Sequence, residues 1–134
     1  MDLSARPSKT IPEIFGLKPG MKSLVINQPE DYDQIMSNWR FKHAAEGDEI
    51  DFAHLFVRNQ DDLHTWLPKL KDRLVPNGMI WVSWPKKSSG IQTDVTDNEI
   101  RNFAIEIGLV DIKVCAVSDI WSGLKLVIPV AKRV

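Results

Sequence analysis

The chain has 134 residues, 43% of them apolar, with 17 lysine and arginine residues against 18 aspartate and glutamate residues. This length predicts one domain that buries roughly two thirds of its unfolded surface. The near-neutral charge excludes a global field that would gather nucleic acid or anionic lipid. The single Cys115 excludes an intramolecular disulfide, and no apolar run reaches the roughly 18 residues of a membrane span. We therefore expect a cytoplasmic protein with no nucleic-acid partner and no membrane partner.

The N-terminal part of the chain alternates short predicted strands and helices. Residues 1–10 are predicted to be a mobile polar segment and residues 11–15 a helical turn. A strand is predicted at 22–26, a helical stripe at 32–39 and a short strand at 40–45. The stripe has the i, i+3, i+4, i+7 spacing of one helix face, formed by Tyr32, Ile35, Met36 and Trp39. Pro29 suits the first turn of this helix.

The middle of the chain predicts the centre of a sheet. Residues 52–57 are almost unbroken in hydrophobicity, as expected when helices cover both faces of a parallel strand. A second amphipathic helix follows and ends at Pro76-Asn77-Gly78, and Pro68 predicts a kink or a break within it. The apolar strand 79–84 is expected to lie next to 52–57 at the centre of the sheet.

The C-terminal part predicts one more helix and a hairpin. Thr96 and Glu99 have the spacing of a capping box at the start of the helix, and Gly108 ends it. Residues 109–116 and 124–128 then alternate with a period of two, which indicates two antiparallel neighbouring strands. The fold class is therefore α/β: a mostly parallel, three-layer Rossmann-like sheet with an antiparallel C-terminal hairpin strand, in one domain at residues 11–134.

Several motifs resemble known families. The chain carries Leu17-Lys18-Pro19-Gly20-Met21, Asp51-Phe52, Leu74-Val75-Pro76-Asn77-Gly78 and a closing hairpin. Together these resemble the framework of S-adenosylmethionine (SAM)-dependent methyltransferases. More specific motifs are Val82-Ser83-Trp84-Pro85-Lys86-Lys87, Thr93-Asp94, Gly108-Leu109-Val110-Asp111 and Trp121-Ser122-Gly123-Leu124-Lys125. They resemble a small bacterial family of unknown function, which implies a truncated methyltransferase-like topology and no established activity.

The loop after the first strand departs from the methyltransferase pattern. In that family glycines let the backbone approach the cofactor, whereas this chain has side chains at residues 27–30. Glu30, Asp31 and Asp33 then crowd the first helical turn and repel an incoming anion. For the acidic residue that bonds the ribose hydroxyls in the family, Glu46 is the nearest candidate. We therefore expect no cofactor.

The loop after strand 79–84 is the candidate ligand-binding site. It offers two ammonium groups, two hydroxyls and a glycine, from Lys86, Lys87, Ser88, Ser89 and Gly90. These groups can hold a phosphate or a carboxylate; the alternative is a solvated loop that keeps the strand end soluble. Since parallel strands share a carboxyl edge, we expect one crevice shared with Asn27 and Gln28. Trp121 and Ser122 are expected beside Trp84, offering a flat surface to a planar ligand.

The remaining reactive side chains predict no catalytic centre. His43, His54 and His64 lack the spacing of helical metal ligands, so no metal site is expected. His54 lies in a buried strand and is predicted to be a hydrogen-bonded core histidine. Cys115 is predicted to be a small buried hydrophobe.

These observations leave three functions open. The leading hypothesis is a methyltransferase-like domain without SAM-dependent activity that acts as a ligand-binding or interaction module. The alternatives are a divergent SAM-dependent methyltransferase and a small enzyme or receptor for an anionic metabolite. The expected partner is a small anionic ligand or another protein.

Overall fold

The computed structural model describes residues 9–133, which contain six strands, four α-helices and two short 3-10 helices. The strands are β1 (Lys22–Ile26), β2 (Lys42–His43), β3 (Ile50–Phe56), β4 (Leu74–Pro85), β5 (Val110–Ala116) and β6 (Trp121–Val127). The helices are α1 (Ile11–Phe15), α2 (Tyr32–Ile35), α3 (Gln60–Arg73) and α4 (Asp97–Glu106). Of the predicted mobile segment, residues 1–8 lie outside the described residues, while Thr10 caps α1 by accepting a hydrogen bond from the Glu13 amide. Among residues 9–133, none of the helices combines the length and the apolar character needed to span a membrane.

The six strands form one sheet in the order β2-β1-β3-β4-β6-β5. The first four strands in chain order pair in parallel, and β6 runs antiparallel to both β4 and β5. The predicted fold class is thus confirmed, including the antiparallel C-terminal hairpin and the central positions of β3 and β4. Thr96 starts α4 by accepting from the Glu99 amide, and Gly108 follows its end with φ +94°.

Two chemically different layers cover the sheet. We call one the aliphatic face: it packs α3 and α4 on Val57, which follows β3, and on alternate residues of β3 and β4, among them Ala53, Leu55, Ile80 and Val82. The other, the aromatic face, packs α1 and α2 on the intervening residues, among them Phe52, Phe56 and Trp81. There the Phe15 ring stacks on the Trp81 ring with 4.0 Å between centroids. Successive side chains of a strand point to opposite faces, which is why one apolar run supplies both layers.

The helix predicted from the stripe at 32–39 is shorter than expected. Helix α2 ends at Ile35, because Ser37 and Asn38 adopt left-handed φ angles of 51° and 55°, which a helix cannot contain. Tyr32 and Met36 are nevertheless buried on the aromatic face, whereas Trp39 is only half-buried. The apolar spacing therefore identified core residues correctly while overstating the length of the helix.

The boundary between α3 and β4 also differs from the prediction. Helix α3 continues through Pro68 without a break, and β4 begins directly after it at Leu74 rather than at Met79. Ile50 pairs with Leu74 and Phe52 with Met79, so residues 75–78 bulge opposite the single residue Asp51. The Pro-Asn-Gly sequence thus makes an irregularity inside a strand rather than a turn before one.

Candidate functional site

The carboxyl edge of the parallel strands gathers most of the candidate residues. Loops leave β1 at Asn27, β3 at Val57 and β4 at Lys86 along this edge, and the antiparallel β6 begins there at Trp121. The Lys86 amide donates a 2.8 Å hydrogen bond to the Ile120 carbonyl, which ties the β4 loop to the start of β6. The predicted placement of these loops at one edge is therefore confirmed.

Asn27 makes the sharp turn at the end of β1. Its φ is 60°, a left-handed conformation that asparagine tolerates better than most side chains and that glycine adopts freely. Its side-chain Nδ2 donates to the Phe56 carbonyl at 3.3 Å, so the amide links the ends of β1 and β3. Gln28, the next residue, is exposed. The backbone here bends as a glycine would allow, but a side chain occupies the space that a glycine would leave empty.

The Lys86–Gly90 loop is a compact turn. Residues Lys87–Ser89 form a single 3-10 turn, which ends at Gly90 with φ 77°. The Ser89 hydroxyl donates to the Lys86 carbonyl at 2.6 Å and accepts from the Ile91 amide at 3.1 Å. Lys87 and Ser88 are exposed, whereas the Ser89 hydroxyl is engaged in holding the turn. The groups free to meet a ligand are therefore mainly those of the two lysines and Ser88.

A cleft of about 350 Å³ adjoins this loop on the aliphatic side of the sheet. Its walls are Trp84, Pro85 and Lys87 on one side and the start of α4, with Thr96, Asp97 and Asn98, on the other. Asp97 forms a salt bridge with Arg101 at 3.8 Å. The cleft thus has one aromatic wall, one cation at its rim and a polar helix start.

Asn27 and Gln28 do not line the cleft beside the β4 loop. In the sheet order β3 lies between β1 and β4, so the loop of Arg58 and Asn59 separates the two groups. Another cleft, of about 380 Å³, lies against that intervening loop and is lined by Arg58, Asn59, Gln92, Thr93 and Asp94. The single crevice expected from the sequence is therefore divided by the β3 loop.

Trp84 and Trp121 do not form the flat surface expected between them. Trp84 packs on the aliphatic face and Trp121 on the aromatic face, because Trp84 pairs with Ser122 and Trp121 with Pro85 across β4 and β6. Trp121 is 2% exposed, and its ring packs edge-on against Phe56. The Arg58 guanidinium covers this ring, with 5.2 Å between Arg58 Cζ and the ring centroid. Ser122 is half-buried in β6.

Two residues that organise this edge, Thr93 and Asp94, were not among the sequence-based candidates. The Thr93 hydroxyl donates to the Arg58 carbonyl at 2.7 Å, and the Asp94 carboxylate accepts from the Gln60 amide at 2.8 Å. Asp94 therefore supplies a negative charge to the start of α3, where the helix dipole favours one. The Thr93-Asp94 pair stood out in the sequence as a motif, but only the fold reveals that Asp94 accepts from the first residue of a helix, 34 residues earlier in the chain.

The aromatic face contains a buried polar network. It consists of Tyr32, His54 and Ser83: the Tyr32 hydroxyl is 2.9 Å from His54 Nδ1, and His54 Nε2 is 2.8 Å from the Ser83 hydroxyl. Burial lowers the pKa of His54 to about 3, so the ring is neutral at physiological pH. Burial, aided by the charge of Asp33, raises the pKa of Tyr32 above its ordinary value. Since His54 and Ser83 are wholly buried, this is the hydrogen-bonded core histidine that was predicted.

The other histidines and Cys115 add no reactive centre within residues 9–133. His43 and His64 are exposed and separate, and no three His, Cys, Asp or Glu residues in the described part of the chain cluster as metal ligands do. Cys115 was predicted to be a small buried hydrophobe and is half-buried on β5, and burial raises the pKa of its thiol. A raised pKa keeps the thiol protonated and weakly nucleophilic.

Solved structures similar to this fold include methyltransferase-like proteins. LepI in complex with SAM matches with a TM-score of 0.54 at 10% identity over 88% of this chain and 39% of LepI. A candidate methyltransferase from Thermoplasma acidophilum matches with a TM-score of 0.55 at 10% identity, over 96% of this chain and 79% of that one. A pericyclic reaction enzyme matches at 9% identity, and this chain again spans only 39% of its length. At such identities the likeness shows the framework of the fold.

The sequence comparison places the chain in a family. No curated protein matches it. The model of a family described as a protein of unknown function, DUF3052, matches residues 30–130, which include β2 to β6 and all the polar residues of the β4 loop. The chain belongs to the DUF3052 family of proteins of unknown function, and it has a methyltransferase-like Rossmann fold.

Proposed function

We propose that this protein is a methyltransferase-like domain that does not use SAM and acts as a binding or interaction module. The observation that carries the proposal is the side chain of Asn27, bonded across to the Phe56 carbonyl at the end of β1. Methyltransferases have glycines at this loop so that the backbone can approach the cofactor. In this chain the Asn27 side chain occupies the space through which the cofactor would approach the backbone, so no methyl-transfer step is assigned to it.

The similarity to solved structures is consistent with this proposal. LepI and the Thermoplasma protein share about a tenth of their residues with this chain, which supports a common framework and carries no activity across. A fold can persist after its cofactor loop has changed, because the sheet is stabilised by its two packed faces and not by the loop. The cytoplasmic location expected from the sequence belongs to the same proposal.

Calorimetry with SAM tests the absence of cofactor binding. We expect no dissociation constant below about 100 µM, which corresponds to some 5.5 kcal/mol of binding free energy. The variant Asn27→Gly keeps the left-handed turn and removes the bridging amide, so any residual affinity should rise in it. Saturable tight binding to the unaltered protein would instead favour the divergent methyltransferase.

The binding role is proposed for the β4 loop, with a small anion as ligand. Lys86 and Lys87 supply two positive charges beside the exposed Ser88, and Trp84 forms a wall of the adjoining cleft. The double variant Lys86→Glu/Lys87→Glu should abolish binding of inorganic phosphate measured by calorimetry. Its melting temperature should stay nearly unchanged, because Lys87 is exposed and half-buried Lys86 forms no salt bridge among residues 9–133, and such surface charges contribute little to stability.

A matched control separates this loop from general charge effects. The variant Lys69→Glu reverses an exposed lysine on α3, whose ammonium lies over the Trp66 ring, away from the β4 loop. We expect it to leave phosphate binding unchanged. Equal phosphate binding by the unaltered protein and the double variant would contradict the assignment and favour the solvated-loop alternative.

A further inference from the structure

A third cleft, of about 380 Å³, lies at the opposite, amino edge of the parallel strands. It is bounded by the end of α1, the starts of β1 and β3, the bulged part of β4 and the last residues of β6. Its apolar lining comes from Phe15, Met21, Met79, Ile112 and Val127, and its basic lining from Lys18, Lys125 and Arg133. Clefts of this size with an apolar lining and a few polar groups are typical of small-molecule sites.

The charges around this amino-edge cleft are unbalanced. Asp51 is its one acidic residue, and the carboxylate accepts a hydrogen bond from the Lys22 amide at 2.8 Å. Within residues 9–133 the salt bridges pair Lys22 with Asp48 and Arg101 with both Asp97 and Asp111, so none involves the three basic residues of the cleft. Three cations therefore face the cleft against one carboxylate, which favours an anionic ligand.

Lys125 is the basic residue of the cleft whose environment most favours a bound anion. It lies in β6 opposite Trp81 of β4 and Lys113 of β5, and it is half-buried. Burial, with the nearby charge of Lys113, lowers the pKa of Lys125. A bound anion would relieve both effects, because it supplies the opposite charge that this ammonium lacks.

A β-bulge turns an apolar side chain toward the same cleft. Asp111 pairs with Leu126 and Lys113 with Lys125, so Ile112 is an extra residue on the β5 strand. Ile112 lines the cleft and is 55% exposed, although it is a large apolar residue. Bulges commonly re-aim a side chain next to a site. Here the bulge gives the cleft an apolar wall beside its basic groups.

We propose that the amino-edge cleft binds a small amphiphilic anion, a molecule with one carboxylate or phosphate group on a short apolar body. The anionic group lies against Lys125 and Arg133, and the apolar body covers Ile112 and Met79. Arg133 is held for this role because its Nε donates to the Ile128 carbonyl at 2.8 Å. The inference goes beyond the proposed function, since it assigns a separate site on the other edge of the sheet.

Calorimetry with four probes tests both halves of this ligand. Octanoate and octyl phosphate carry charge and an apolar body, octan-1-ol lacks the charge, and acetate lacks the body. We expect saturable binding of the first two, with octan-1-ol weaker by about tenfold or more and acetate undetectable. Equal affinity for octanoate and octan-1-ol, or no saturable binding of either octyl anion, would overturn the proposal.

Two substitutions locate the binding. Lys125→Met keeps most of the unbranched side chain and removes its charge, and it should weaken octanoate binding by about tenfold. Lys18→Met removes an exposed charge at the cleft and should weaken binding to a smaller extent without affecting folding. Lys87→Met, at the other edge, should leave octanoate affinity unchanged. Unaltered affinity in both cleft variants, or equal loss in Lys87→Met, would overturn the assignment, and neither result bears on the SAM and phosphate experiments.

Discussion

The two faces of the sheet are built by different physical means. Apart from Trp84, the buried side chains of the aliphatic face are those of Leu, Ile, Val and Ala under α3 and α4, and their stability comes from burial and close packing. The aromatic face combines stacked rings with the buried network of Tyr32, His54 and Ser83, so its stability also depends on hydrogen-bond geometry. One continuous apolar strand therefore supports two faces, one stabilised by apolar packing and one that also depends on buried hydrogen bonds.

The largest expected effect comes from a truncation on the aliphatic face. Leu67 is fully buried in α3, so Leu67→Ala should lower the free energy of unfolding by about 2–5 kcal/mol, through lost burial and the cavity left behind. The matched control is Ile105→Ala on α4, where the side chain is 57% exposed and the loss should be below about 0.5 kcal/mol. Urea denaturation measures both. Similar losses in the two variants would show that this face is not the packed core.

Acidification should lower the free energy of unfolding through His54 on the aromatic face. The folded protein keeps His54 neutral down to a pKa of about 3, whereas the unfolded chain takes up a proton near 6.5. Between these values the unfolded state binds more protons, so the free energy of unfolding falls as the pH falls, by up to about 1.4 kcal/mol per pH unit from this group. Stability curves of the unaltered protein and His54→Gln test this.

His54→Gln should be less stable at neutral pH but should lose part of that pH dependence. The exposed His43→Gln is the control and should follow the unaltered protein throughout. Parallel curves for all three proteins would refute the assignment of this acid sensitivity to His54.

Removing one hydroxyl from the network should have a moderate effect. Tyr32→Phe removes the hydroxyl that lies 2.9 Å from His54 Nδ1. Because this leaves a buried nitrogen without a hydrogen-bond partner, the free energy of unfolding should fall by about 1–3 kcal/mol. Ser88→Ala, which removes an exposed hydroxyl from the β4 loop, should cost almost nothing. The double variant Tyr32→Phe/Ser83→Ala should be non-additive, because both hydroxyls act through the same ring. Strict additivity would mean that the three groups do not form one network.

The smallest expected effect tests the packing between β6 and β4 on the aromatic face. A Cβ atom at Gly123 would lie 2.7 Å from Val117 Cγ2 and 3.2 Å from Trp81 Cε3. Gly123→Ala should therefore cost about 1 kcal/mol, because the valine methyl has to shift. Adding Val117→Ala should restore tolerance of the alanine at 123 in a double-mutant cycle. A neutral Gly123→Ala would show that the aromatic face yields more readily than its geometry indicates.

The sequence alone determined the architecture of this protein. The apolar runs at 52–57 and 79–84 predicted two adjacent central strands, and the period of two after Gly108 predicted the hairpin. These predictions succeeded because burial on both faces of a strand requires unbroken apolar residues, and that requirement is local. The sequence predicted the ends of elements less accurately. The apolar stripe at 32–39 does not show that Ser37 and Asn38 have a left-handed backbone, because the spacing of apolar residues contains no information about φ angles.

Which side chains meet depends on the strand register and the packing of the whole fold. The sequence put Trp84 and Trp121 at one edge, but their strand register sends them to opposite faces of the sheet, because side-chain direction alternates with every residue. In the same way, the Asn27 bond to Phe56 and the cations around the amino-edge cleft join residues far apart in the chain. A sequence fixes the period of each element. The pairing of elements, which creates every site, depends on free energies summed over the whole fold.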